Sequence, residues 1–107
     1  MNSAQMTSNE LEEAIAYRFA AAAIERGFSI DLYRDGKKVV EAGQDPERVL
    51  RAMFAGHEDR LELSRDSRIQ GIFLFRNGVN VEVILMGHPD VEAVLYVCIR
   101  CLGGLGG

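Results

Sequence analysis

The chain has 107 residues, 48% of them apolar and 26% charged, with a formal net charge of −4. That length suits one hydrophobic core and is too short for two cores with a separate catalytic domain, and the composition excludes disordered and collagen-like classes. A net negative charge argues against bulk attraction to phosphate backbones.

The longest apolar runs, 19–24 and 79–86 with its polar insertions, fall far short of the roughly 20 residues that span a bilayer. Residues 1–9 are polar and lack the basic and apolar regions of a secretory signal, and two cysteines are too few for a disulfide framework. A reducing cytoplasm is the expected location. Between residues 34 and 76, nine basic residues interleave with eight acids, which reads as a mixed-charge surface. A nucleic-acid groove would have to be assembled by the fold from Arg48, Arg51, Arg60, Arg65 and Arg68.

The elements follow one another with short turns. Thr7 and Glu10 have capping-box spacing, and Leu11, Ala14, Ile15, Phe19, Ala22 and Ala23 recur at helical intervals up to Gly27, predicting a first helix. Tyr17, Ala20, Ala21 and Ile24 form a second apolar stripe on it, so either other elements cover both sides or a partner does. Residues 28–33 alternate as a strand, and Asp35-Gly36 offers the type I′ pair that turns it into a second strand over 37–42. Asp45 and Pro46 supply an N-cap and an N1 proline for a second helix with Val49, Leu50, Met53 and Phe54 on one face and a stop at Gly56.

Leu61 and Leu63 mark a third strand, a turn at Asp66-Ser67 leads into a fourth over 69–76, and Asn77-Gly78 joins that to a fifth over 79–86. Pro89, the acids Asp90 and Glu92, and Val91, Val94, Leu95, Cys98 and Leu102 at helical spacing predict a third helix ending at Gly103-Gly104. The expectation is a single α+β domain over 1–102 in the order αββαβββα: an antiparallel sheet of about five strands with helices mainly on one face. A flexible Gly-rich tail over 103–107 follows it.

Candidate chemistry is sparse. Cys98 and Cys101 form a CxxC, a spacing that can share a metal or form a redox disulfide, but it lies in the last turn of a helix, where the dipole disfavours thiolates. Within one chain only His57 and His88 could complete a tetrahedral zinc site. Neither histidine has a nucleophile near it in sequence, and the glycines at 36, 78 and 103–107 do not open helices as phosphate loops do. No cofactor, metal or catalytic residue is expected, and enzyme activity is disfavoured.

The third hairpin carries the strongest expectation. A two-residue loop at Asn77-Gly78 would set Leu74 opposite Val81 and Ile72 opposite Val83 on the face that meets the helices. Phe73, Phe75, Ile84 and Met86 would then lie on the other face, a contact surface unless helix one folds over it. With Tyr17 and Ile24, these four make up the candidate interaction surface.

Across Tyr33-Arg34-Asp35-Gly36, the helix over 45–55, the strand opening at Glu58-Asp59-Arg60-Leu61-Glu62-Leu63 and the Asn77-Gly78 turn, the chain resembles small uncharacterised proteins encoded in bacteriophages and prophages, over residues 11 to about 95. The Gly-rich end and the cysteine-bearing last helix depart from that pattern. The resemblance implies a genomic neighbourhood and not an activity, and small proteins of that kind often work by binding and blocking or redirecting host proteins. The expected function is therefore a non-catalytic protein-interaction module that self-associates, as a homodimer, or binds a host protein. A small nucleic-acid-associated regulatory factor and a metal or thiol-redox protein using Cys98 and Cys101 are the alternatives.

Overall fold

A computed structural model describes residues 8–53, 58–76 and 81–106, with side chains over 13–53, 58–76 and 81–97. The order is α1 (Ser8–Glu25), β1 (Ser29–Arg34), β2 (Lys37–Gly43), α2 (Pro46–Ala52), β3 (Glu58–Arg65), β4 (Arg68–Arg76), β5 (Val81–Met86) and α3 (Pro89–Gly106). The strands form one antiparallel sheet in the spatial order β2-β1-β3-β4-β5, so β1 joins the first hairpin to the later meander. This is the expected α+β arrangement. No helix among the described residues is long and apolar enough to cross a membrane.

Local chemistry sets several boundaries. Asp35 and Gly36 hold φ values of 49° and 86°, the two left-handed residues that a type I′ turn demands. Asp66 and Ser67 adopt the same region at 55° and 62° with no glycine to ease it. Asp45 caps α2, its carboxylate accepting the Glu47 N–H at 3.0 Å ahead of Pro46 at N1. Helix α2 ends at Ala52, with Met53 extended at φ −80° and ψ 164°, ahead of the stop expected at Gly56; Thr7 of the capping box, Phe54, Gly56 and the Asn77-Gly78 turn lie outside the described residues.

At the other end, α3 continues through Gly103 and Gly104 to Gly106, where the sequence led us to expect a stop and a tail. Glycine permits a left-handed terminating residue but does not impose one, and its cost inside a helix is only about 0.5–1 kcal/mol.

The core lies between the helices and one sheet face. Ile30, Leu32, Leu61, Leu63, Phe73 and Phe75 point from the sheet into the same cluster as Ile15, Phe19, Val49, Val91 and Val94 from the three helices. All three helices therefore cover one face. Helix α1 packs against both α2 and α3 and buries Ile15, Ala16, Phe19, Ala20, Ala22 and Ala23, whereas of its second stripe Ala21 and Ile24 are half-buried and Tyr17 is exposed. Where α3 crosses the sheet, Gly71 makes room, since a Cβ there would stand 2.7 Å from Val91 Cγ1.

Candidate functional site

The structure corrects the expected register of β4 and β5. Phe75 faces Val81, Phe73 faces Val83 and Leu74 faces Glu82, one residue away from the pairing that a two-residue loop would enforce. A slip of one residue turns every side chain to the other face. Phe73 and Phe75 therefore belong to the core, where the Phe19 ring meets them edge-on at 4.7 and 5.3 Å, and they are not part of a contact surface. Helix one covers this face together with the other two helices, so the helices meet Phe73 and Phe75 and not the Ile72 and Leu74 face expected for them.

The opposite sheet face is polar along its middle. Arg60 and Glu62 pair at 2.9 Å, and Arg76 bridges Glu58 at 3.2 Å and Glu82 at 2.8 Å. On β4 it is interrupted by Ile72 and Leu74, both half-buried, and Ile69 near the start of the strand, paired with Ser64, is 49% exposed. A groove of about 450 Å³ runs here past Tyr33, Asp35, Arg60 and Leu74. Its mixed charges resemble an ordinary solvated sheet face.

The edges of the sheet differ sharply. Both edge strands carry register breaks, two in β2 and one in β5, but β2 also presents Lys37, Lys38 and Glu41 to solvent, charges that keep an edge from pairing with other chains. Strand β5 has no charge after Glu82, and that carboxylate is already held by Arg76. Val83, Ile84, Leu85 and Met86 follow in succession at 38%, 50%, 38% and 39% exposure. Between Phe73↔Val83 and Ile72↔Leu85, Ile84 is an extra residue without a Cα partner on β4. No described strand pairs with the outer side of β5.

Of the other expected surface residues, Ile84 and Met86 lie on this edge, while Ile24 is half-buried against the core. Tyr17 is 43% exposed, at a groove between α1 and α3 that Ala21, Arg26 and Val97 also line. Val83 and Leu85, which sequence reasoning missed as surface residues, belong with Ile84 and Met86. The signal that could have found them is the charge-free stretch after Glu82, unlike the lysine-bearing β2.

The arginines considered for nucleic acid are spread over separate elements, and three are engaged by carboxylates. Arg51 pairs with Glu47 at 3.4 Å along α2, Arg60 with Glu62, and Arg65 with Asp90 at 2.8 Å. Arg65 is a structural tie. It donates to the Arg26 carbonyl at the end of α1 and to Gln70 Oε1, and its guanidinium lies 4.4 Å from the centroid of the Phe28 ring. His88 heads α3: its Nδ1 accepts the Asp90 N–H at 3.0 Å, and its carbonyl accepts Val91 N–H. The Arg65 guanidinium beside Asp90 holds that carboxyl below the usual carboxylate range.

No group of three or more metal-ligating side chains is found among the described residues. Cys98 and Cys101 lie on the helical backbone of α3, with side chains outside those described, as is His57 altogether. Compared with protein-family models, curated proteins and solved structures, the chain matches none.

Proposed function

We propose that this chain is a non-catalytic protein-interaction module that works in the cytoplasm by accepting an extended partner segment along the outer side of β5. The observation that carries the reading is the contrast between its two sheet edges: β2 is guarded by charge and β5 exposes four consecutive large apolar side chains. An edge strand offers a row of backbone donors and acceptors, and apolar side chains beside it supply the burial that makes such pairing stable in water. Exposing this strand without a partner invites aggregation. The resemblance to phage-borne proteins that bind host proteins agrees with an interaction role.

The test is a photocrosslinker, p-benzoylphenylalanine, placed at position 84 and, as a control, at the outward-facing position 51 in the expressing cell. Covalent protein adducts at an extended segment are expected from position 84 and not from position 51. An absence of adducts from position 84, or equal yields from both, would overturn the reading.

A further inference from the structure

Resting on the edge-strand reading, we infer that the segment seated on β5 belongs to another protein and is basic, with a lysine or arginine received by Glu92 and Tyr96 of α3. The register fixes what each face of the edge offers. Val83 is opposite the buried Phe73, and Met86 is opposite Gly71, where a Cβ would meet Val91, so Val83 and Met86 project on the helix face. Glu82 and Leu85, opposite Leu74 and Ile72, project on the other. An added strand therefore lays one row of side chains beneath α3 and the other beside the bridge between Glu82 and Arg76.

Helix α3 overhangs the first row. The helices stand in the same order as the strands: α2 packs on β1 and β2, α1 lies between α2 and α3, and α3 reaches β5. Val91 points down at the sheet, and Val97 lines the groove towards α1. At 100° per residue, Glu92 and Tyr96 then project from the opposite flank, out over the free side of β5. Four residues apart on a helix, they are neighbours. Tyr96 is 56% exposed, Glu92 is exposed as well, and among the described residues no cation bridges its carboxylate. A carboxylate beside an aromatic ring suits a lysine or arginine, which can pair with the one and lie on the face of the other.

The wider charge balance favours the same partner. At the start of β5, Arg76 is shared by Glu58 and Glu82, and beyond Met86 the Arg65 guanidinium is answered by Asp90. With Glu92 added, carboxylates outnumber cations along this edge, so a basic segment is drawn in and an acidic one repelled. The β5 strand itself has no cation to offer, so the β5 of a second copy does not meet this requirement.

Two blocked heptapeptides test this by NMR titration of the full chain: Thr-Val-Thr-Lys-Thr-Val-Thr, one face of which reads valine, lysine, valine, and the same peptide with glutamate for lysine. The lysine peptide should shift the amides of 82–86 and 92 and bind roughly tenfold more tightly, because the exchange turns an ion pair into a like-charge contact. Glu92→Gln should remove most of that preference and Glu92→Lys should reverse it. Tyr96→Ala should weaken the lysine peptide roughly threefold and leave the glutamate peptide unchanged. Both positions are exposed, so native circular dichroism should persist. Equal shifts of the 82–86 amides by the two peptides, or a preference that Glu92→Gln leaves intact, overturn the inference and leave the edge-strand reading standing. Shifts at 82–86 from neither peptide overturn it as well, and crosslinks from position 84 then decide whether the edge-strand reading survives.

Discussion

Phe19 of α1 and Phe73 of β4 meet edge-on, with ring centroids 4.7 Å apart and ring planes at 74°, and both are fully buried. Edge-to-face aromatic pairs contribute about 0.5–1.5 kcal/mol beyond the area they bury, and truncating a buried phenylalanine typically costs about 3–5 kcal/mol. Phe73→Ala should lower the stability of the chain by that larger amount. Tyr17→Ala, two residues before Phe19 but 43% exposed, should change it by no more than about 0.5 kcal/mol. Urea midpoints for the two variants check this, and similar midpoints would show that α1 does not cover the Phe73 face.

Gly71 makes a second prediction about the same layer. A Cβ at this position would lie 2.7 Å from Val91 Cγ1 and 3.2 Å from the Phe73 ring, so α3 has to move outward to admit it. Overpacking of this kind costs about 1–3 kcal/mol. Gly71→Ala should be destabilising by that amount, and adding Val91→Ala should recover part of the loss despite removing two buried methyl groups. Thermal unfolding of the single and double variants gives the coupling, and strict additivity would mean that α3 does not rest on Gly71.

The turns allow opposite substitutions to be compared. Gly36 has φ of 86° and no atom within 4 Å of a built Cβ, so Gly36→Ala isolates the backbone cost of a left-handed residue, and should destabilise by about 1 kcal/mol. Ser67, at φ of 62°, already bears that cost. Ser67→Gly should relieve it and stabilise by about 0.5 kcal/mol after the greater unfolded-state freedom of glycine is subtracted. Calorimetric midpoints shifting in opposite directions would bear out both turn assignments.

The elements of this fold were legible because each carries its own local signal: Asp35-Gly36 for the first turn, Asp45-Pro46 for α2, Pro89 with Asp90 for α3. The faces were not. On β4, Ile72, Phe73, Leu74 and Phe75 are all apolar, so alternation cannot say which two point inward, and the choice fell to an assumed loop length. Gly71 on the core face, below Val91, is the residue that decides it, and only the packing of α3 reveals its role. Arg65 was misread for a related reason. Counted with the surface charges, it joins the end of α1 to the start of α3, partners that lie 39 and 25 residues away. The β5 edge was half legible: Ile84 and Met86 were singled out, but for a sheet face and not for the unpaired side of a strand.

That arginine gives the chain a pH dependence whose sign is fixed. Asp90 is held below its ordinary value of 3.8, first by the hydrogen bond from Arg65, which outweighs the opposing desolvation, and then by the charges of Arg65, His88 and Arg26. A carboxyl lowered in the folded state binds its proton more readily when unfolded, so its contribution to stability is fully present above the ordinary carboxylate range and is lost as pH falls through the lowered value. The window therefore lies at and below pH 3.8. Because His88 caps the same helix through Nδ1 and its charge is one of the causes that lower Asp90, the measurement is best made in a His88→Asn background, where asparagine keeps a cap acceptor and leaves Arg65 as the main cause. There, the Asp90 carboxyl followed by NMR should titrate below 3.8, and Arg65→Met should raise its midpoint towards that value. Asp90→Asn should lower stability near neutral pH and flatten the acid limb of the stability curve. An Asp90 midpoint that Arg65→Met leaves unmoved would show that the tie between β3 and α3 does not form in solution.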